Sequence, residues 1–250
     1  MANVSKKGRQ SIRDRRAQKQ RKQRLNIIIG ASVVALLIIG LVLIANFWDD
    51  FAPMAEFTIP ETKARPMAEF NAMGDPDAPV EIVVFSDYQC PVCQRFANET
   101  EPLIEENHVA SGEVYLVVRS MGNFMSDNAR SGKNESIDAT AAAYCAGDQG
   151  MFWQYKDTLF ANWLGLDRNS FTKKRLLAMG EELGLNMDEF KSCVNEDKYR
   201  QLAEQDKVDG LNSGVTGTPA FLVNGELISG FKTYTEFAEI IRNVQSTARN

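Results

Sequence analysis

Residues 80–96 read VEIVVFSDYQCPVCQRF, and this stretch decides the fold. Its first six residues, Val80 to Phe85, are mostly apolar, as in a strand that is buried on both faces of a sheet. Pro91 favours the start of a helix, because a proline in the first helical turn lacks only an N–H that would have no partner there. The stretch therefore predicts a strand, a short loop and a helix that begins beside Cys90.

The two cysteines of this stretch have the spacing of a redox pair. Cys90 is predicted at the N-terminus of the helix, where unpaired N–H groups and the helix dipole favour a thiolate. Cys93 lies one turn further along, close enough to bond with it. We therefore expect Cys90 to be the exposed nucleophile and Cys93 to be the buried resolving thiol.

Other uses of a Cys-x-x-Cys pair fit this sequence less well. Half of a zinc site needs a second group of ligands, but Cys145 and Cys193 stand singly and His108 is the only histidine. A purely structural disulfide is unusual across so short a span. The sequence thus predicts no metal and no cofactor.

The charges divide the chain into a basic tail and an acidic body. Residues 1–24 contain ten Lys or Arg and one acidic residue, Asp14, whereas the other residues contain 18 basic and 32 acidic side chains. A nucleic-acid-binding domain would carry a basic face on its fold. The distribution therefore argues against nucleic acid as a partner.

An uncharged segment of 24 residues, Leu25 to Trp48, joins the tail to the body. At about 1.5 Å per residue it would cross a hydrocarbon core of roughly 30 Å, so we expect a transmembrane anchor. A cleaved signal peptide is the alternative, although its apolar part is normally shorter. For an anchor, the positive-inside rule puts residues 1–24 in the cytoplasm and the body in the periplasm or on the outer face of the membrane.

Residues 49–73 are interpreted as a linker, because they contain three prolines and two copies of the pentapeptide PMAEF, at 53–57 and 66–70. A minor alternative is that Phe57 or Phe70 packs on the body. The body itself, residues 74–250, has the size of one domain.

Further elements of the body follow from its patterning. Val114 to Val118 predicts a second strand, and Asn224-Gly225 predicts a hairpin between residues 220–223 and 226–229. Residues 134–213 have few β-branched side chains and no proline, which favours several helices. Thr233 to Arg249 predicts a closing amphipathic helix. The expected order is strand, helix, strand, helical block, hairpin and helix.

Three segments resemble the DsbA-type thiol:disulfide oxidoreductases: FSDYQCPVC at 85–93, AAAYCAGDQGMFWQYKDTLF at 141–160 and GVTGTPAFLVNGELISG at 214–230. The resemblance covers the body and implies an α/β, thioredoxin-like fold with a helical domain inserted at about residues 124–213. It also implies that the Thr218-Pro219 bond is cis and faces the two cysteines. The Thr218 backbone would then be free to pair with a substrate strand.

Two departures from the family pattern bear on the direction of electron flow. Strong oxidants of this type usually have histidine between the cysteines, whereas Pro91 and Val92 stand here. Pro91 and Val92 are therefore the residues expected to tune the redox pair, and without an imidazolium the pair should be less oxidising. Relatives also commonly carry a buried carboxylate six residues before the first cysteine, where this chain has Val84. Glu81, at an odd offset along the strand, should point to the opposite face.

Cys145 and Cys193 lie 48 positions apart in the predicted helical block. A domain in an oxidising compartment tends to pair such cysteines, so a structural disulfide is favoured over two buried free thiols.

The sequence thus predicts a membrane-anchored thiol:disulfide oxidoreductase that acts on exported proteins with free thiols, chiefly as an oxidant, and is recharged by a membrane redox partner. One alternative is an extracytoplasmic reductase or isomerase. Another is a thioredoxin-like module that only binds clients, with the disulfide between Cys90 and Cys93 merely stabilising it.

Overall fold

The computed structural model describes residues 3–51, 54–126 and 133–248, and it divides the chain into two units, Met1–Pro53 and Met54–Asn250. The first unit contains one long helix, α1, at Asn3–Phe51. Its portion Lys19–Ile44 contains an 18-residue window with a mean hydropathy of 3.2, and none of that window is buried in the structure. By length and composition this portion is a candidate membrane span.

The second unit is built on a five-stranded mixed sheet with the order β1-β3-β2-β4-β5. The strands are β1 (Ala72–Met73), β2 (Val80–Ser86), β3 (Val114–Ser120), β4 (Ala220–Val223) and β5 (Glu226–Ser229). Strands β2 and β3 run parallel from Val80 opposite Val114 to Ser86 opposite Ser120, and the other neighbours are antiparallel. The short strand β1 was not predicted from the sequence, because two residues carry no detectable alternation.

Helices on one face of the sheet form the core beneath β2 and β4. They are α2 (Pro91–Glu99), α3 (Glu101–Ile104) with a π-helical turn at Glu105–Val109, and the C-terminal helix α9 (Tyr234–Ala248). Phe96 of α2 contacts Phe221 of β4 and Phe237 of α9, with ring centroids 4.8 and 5.8 Å away. Three buried aromatic rings therefore anchor α2 to the sheet.

The stretch between β3 and β4 is helical, as predicted. Its described part contains α4 (Glu135–Gly147), α5 (Phe152–Ala161), α6 (Lys173–Glu182), α7 (Met187–Asn195) and α8 (Arg200–Asn212). Residues 127–132 of the predicted insertion lie outside the described residues. Helix α8 packs closely on the sheet at Gly210, where a Cβ atom would lie 2.5 Å from the sulfur of Met121.

The structure differs from the predicted linker over residues 54–73. Met54 onward belongs to the second unit, and Phe57 and Phe70 pack against its core. The backbone of Thr58 exchanges hydrogen bonds of 2.7 and 2.8 Å with the side chain of Asn162. The prolines and the repeated pentapeptide suggested a linker, but these distant contacts join the segment to the rest of the second unit. Ala52 and Pro53 of the predicted linker lie outside the described residues.

Candidate active site

The redox pair lies where β2 ends and α2 begins. Cys90 is the N-cap of α2, and the backbone N–H of Cys93 donates to its sulfur at 3.4 Å. The N–H of Cys90 donates to the carbonyl of Asp87 at 3.0 Å, which closes a tight turn before the helix. The sulfur therefore faces the positive end of the helix, the surroundings that favour a thiolate.

A second loop approaches the pair from the start of β4. The Thr218-Pro219 peptide bond is cis, and the thiol of Cys90 lies 3.5 Å from the carbonyl oxygen of Thr218. Residues 128 positions apart thus meet at one sulfur atom, because β2 and β4 are neighbours in the sheet. The loop leaves the Thr218 carbonyl beside the atom that would react.

The two thiols have pKa values displaced in opposite directions. A hydrogen bond from the Cys93 thiol is the main cause that lowers the pKa of Cys90, to about 6, although burial opposes it. Burial is the main cause that raises the pKa of Cys93, which also donates to Cys90. At neutral pH the pair therefore holds a thiolate on Cys90 and a proton on Cys93.

Cys90 is not exposed, contrary to the sequence-based expectation. The residue is 2% exposed and Cys93 is 1% exposed. The expectation placed Cys90 at an open helix end and did not include the Thr218 loop, which lies against its sulfur. Val92, by contrast, is 40% exposed, so the outer surface of the motif is formed by an apolar side chain.

The interior beside the pair is apolar at the position where relatives carry a carboxylate. Val84 is buried and lies between Val118 of β3 and Phe221 of β4 in the sheet. Glu81, the nearest acidic residue along the strand, is exposed. No acidic side chain of β2 therefore replaces the missing group.

Asp87 is a buried acidic residue of the site that the sequence reasoning did not single out. It has no exposed surface, and burial raises the pKa of its carboxyl group while a hydrogen bond from Ser136 opposes the rise. Its position in the sequence could have indicated this role. An acidic residue between a buried strand and a helix is itself close to the core, where a carboxylate needs hydrogen-bond donors.

The remaining predicted residues lie away from the pair. Cys145 of α4 and Cys193 of α7 are joined by a disulfide bond, with their Cα atoms 5.9 Å apart. Within the part of the chain that the structure describes, no group of three or more His, Cys, Asp or Glu side chains could hold a metal ion.

A dithiol at a helix N-terminus, with a lowered pKa on the first sulfur and a cis proline opposite, defines the class of thioredoxin-fold thiol:disulfide oxidoreductases. Residues 69–243 match the sequence profile of the thioredoxin family, and the chain belongs to that family. Within it, the chain is a protein thiol:disulfide oxidoreductase of the DsbA type.

Two kinds of curated protein resemble the chain, one over most of its length and one over a small part. Disulfide bond formation protein D of Bacillus subtilis is 26% identical over 184 residues, which are 73% of this chain and 78% of that protein. The Na(+)/H(+) antiporter NhaA 1 of Salinispora arenicola is 31% identical over 156 residues, but the match spans 62% of this chain and only 22% of the antiporter.

Solved structures share the fold. Oxidised BdbD from Bacillus subtilis has a TM-score of 0.60 and 22% identity, covering 73% of this chain and 96% of BdbD. Reduced DsbA from Mycobacterium tuberculosis has a TM-score of 0.56 and 20% identity, covering 71% of this chain and 92% of that one. The predicted thioredoxin-like fold with a helical insertion is confirmed.

Proposed function

We propose that this protein oxidises thiols of exported proteins outside the cytoplasmic membrane, to which α1 anchors it. The observation that carries the proposal is the position of the Cys90 sulfur at the N-terminus of α2, where it accepts the N–H of Cys93 at 3.4 Å. These surroundings, with a hydrogen bond from the Cys93 thiol, lower the pKa of Cys90 to about 6. Stabilising the Cys90 thiolate stabilises the reduced pair, and a pair with a stable reduced form is an oxidant when it is disulfide-bonded.

The chemistry follows from the different surroundings of the two sulfurs. A client thiolate attacks the sulfur of Cys90, the Cys90–Cys93 bond breaks, and its electron pair goes to Cys93. A second client thiolate then attacks the client sulfur of the mixed disulfide and releases Cys90 as its stable thiolate. Two electrons have passed from the client to the pair, and a membrane redox partner must remove them before the next cycle.

The Thr218 carbonyl is suited to hold the client during this exchange. It lies 3.5 Å from the sulfur of Cys90, at the start of β4. A backbone N–H of an extended client segment could donate to this carbonyl, as in the addition of a strand to a sheet. The client cysteine would then face Cys90, so Pro219 and Thr218 would orient it.

The location is inferred from α1 and its charges. The apolar portion of α1 follows the basic tail, which favours a cytoplasmic N-terminus and a catalytic domain on the other side. The proposed direction is supported by the name of a protein that resembles this chain, disulfide bond formation protein D of Bacillus subtilis, since forming a disulfide bond oxidises two thiols.

Reduction or isomerisation of disulfides is the second candidate function, and Val92 favours it. This side chain supplies no positive charge to Cys90, so the pair is a weaker oxidant than one with histidine there. A module that only binds clients is the third candidate function. Binding alone does not require a reactive thiol, whereas the pKa of Cys90 is lowered to about 6.

Trapping of mixed disulfides tests the proposed exchange. In cells that express Cys93→Ala, Cys90 should remain bonded to client proteins, and non-reducing gels should show these adducts. The matched control is Cys90→Ala, which keeps one thiol of the pair but removes the nucleophile. Adducts that are absent from Cys93→Ala, or equally abundant in Cys90→Ala, would show that Cys90 does not carry the exchange.

A further inference from the structure

The carboxylate of Asp87 connects three separate parts of the second unit. One oxygen accepts the N–H of Gln89 at 2.8 Å and the hydroxyl of Ser136 at 2.5 Å, and the other accepts the N–H of Met125 at 2.9 Å. Gln89 belongs to the loop before Cys90, Met125 follows β3, and Ser136 begins the first helix of the insertion. A single buried side chain thus joins the active-site loop to the insertion.

The same loop has a second buried connection of this kind. Gln89 has no exposed surface, and its side-chain oxygen accepts the N–H of Asp167 at 2.6 Å. Asp167 lies between α5 and α6 of the insertion. Two of the three residues that precede Cys90 are therefore fixed to the helical insertion through buried polar side chains.

These connections determine where the sulfur of Cys90 lies. The carbonyl of Asp87 accepts the N–H of Cys90 at 3.0 Å, so the residue whose side chain is fixed by the insertion also fixes the backbone of the nucleophile. The helix N-terminus acts on a thiolate only over the first turn. A loop that relaxes would move the sulfur away from this field and from the Cys93 N–H.

From this geometry we infer that Asp87 is a positioning residue, through which the helical insertion holds the sulfur of Cys90 at the N-terminus of α2. The inference rests on the proposed function for the role of Cys90 as nucleophile. Among the described residues the carboxylate of Asp87 accepts from Gln89, Met125 and Ser136 and makes no hydrogen bond with the Cys93 thiol, so its role is assigned through the loop.

Replacement of Asp87 by asparagine tests the inference with a result of definite sign. No orientation of an amide accepts all three donors, since its NH₂ group must face at least one of them. Loss of loop position should raise the pKa of Cys90 by about one unit, a tenfold loss of thiolate stabilisation. Removal of a negative charge alone would lower this pKa, so the direction separates positioning from a charge effect.

The measurement is the pH dependence of iodoacetamide alkylation of Cys90 in the reduced, full-length protein in detergent. The matched control is Glu135→Gln. Like Asp87, Glu135 is buried, and its carboxylate accepts two backbone N–H groups, from Asn169 and Phe171. Both of these donors belong to the insertion and not to the active-site loop. Glu135→Gln should leave the pKa of Cys90 near 6 even if the protein unfolds more easily.

Each outcome decides the inference. A raised pKa in Asp87→Asn with an unchanged pKa in Glu135→Gln supports it, and an unchanged or lowered pKa in folded Asp87→Asn overturns it. If Asp87→Asn does not fold, Ser136→Ala takes its place, because it removes one donor and leaves the carboxylate. A raised pKa of Cys90 in Ser136→Ala supports the inference, and an unchanged pKa overturns it. Client trapping by Cys93→Ala is independent of these results, so failure of the proposed function is recognised separately.

Discussion

At the scale of single residues, the surroundings of one sulfur atom determine the chemistry. The Cys93 thiol and the end of α2 lower the pKa of Cys90 to about 6, whereas burial raises the pKa of Cys93. The Cys-x-x-Cys motif and Pro91 predicted the helix start and the inequality of the two thiols. They could not predict that Thr218 covers Cys90, because that contact depends on a strand pairing 128 positions away.

Val92 is the position at which the acidity of Cys90 can be changed most simply. We expect Val92→His to lower the pKa of Cys90 by about one unit, because an imidazolium there adds positive charge and an N–H donor. The same stabilisation corresponds to about 30 mV in a two-electron couple, in the oxidising direction. Val92 is exposed, so the substitution should not disturb the core.

The alkylation midpoint and the equilibrium with glutathione measure these two shifts in Val92→His. Val92→Asn serves as the control, since its side chain is polar but cannot carry a charge. An unchanged or more reducing couple in Val92→His would mean that another group sets the energy of the Cys90 thiolate.

At the scale of elements, the segment before β1 shows why local sequence is not sufficient. Arg65 of this segment binds Glu105 of the π-helical turn and Asp157 of α5, which are 40 and 92 positions away. Lys156, also of α5, donates to Glu101 at 2.5 Å and lies 3.3 Å from Asp157. These pairings could not be predicted from the prolines and the repeated pentapeptide, which describe only the local backbone.

This cluster should make stability depend on pH. The carboxylates of Glu101, Glu105 and Asp157 face two cations, Arg65 and Lys156. Burial raises the pKa of Glu105 to about 8, although the neighbouring Arg65 opposes the rise. Because folding raises this pKa from 4.5 to about 8, the stability that Glu105 contributes is fully present below about pH 4.5 and is lost as the pH rises through 8. The free energy of unfolding should fall over this range by at most about 1.4 kcal/mol per pH unit.

Glu105→Gln should remove this part of the pH dependence, because it leaves two carboxylates opposite Lys156 and Arg65. Urea unfolding of the full-length protein between pH 5 and 8.5, in about half-unit steps, measures the slope. Glu99→Gln is a suitable control, since Glu99 is exposed and forms an ion pair with Arg95, four residues before it. Equal slopes for the protein and Glu105→Gln would show that Glu105 is charged throughout.

The disulfide between α4 and α7 acts on the helical insertion as a whole. Closing a loop of 48 residues should stabilise the folded state by about 4 kcal/mol in the chain-entropy account. We expect Cys145→Ala/Cys193→Ala to lose this amount in urea unfolding, with the alkylation of Cys90 at neutral pH unaffected. A double variant as stable as the original protein would assign no stabilising role to the bond.

At the scale of the whole molecule, the sequence predicted the order of the elements because each carries a strong local pattern. The apolar strand β2, the Asn-Gly turn and the amphipathic α9 are examples. The role inferred for Asp87 could not be predicted, because its partners Met125 and Ser136 are 38 and 49 positions away and meet it only in the folded chain.

The anchor is tested by where the intact protein fractionates. We expect the full-length protein to stay with membranes after a carbonate wash, because the uncharged segment at residues 25–48 is long enough to cross them. Protease added from outside should digest the second unit and spare the basic tail. A soluble product that begins near Asn46 would instead identify residues 25–45 as part of a cleaved signal.

The equilibrium of the Cys90–Cys93 couple with glutathione tests the central claim most directly. A Cys90 pKa of about 6 lies between those of thioredoxin, about 7, and the strongest DsbA oxidants, about 3.5. The couple should therefore lie between their potentials, about −270 and about −120 mV, and roughly 30 mV to the oxidising side of thioredoxin for the difference of about one pKa unit. A potential at or below about −270 mV would contradict an oxidant and identify the protein as a reductase.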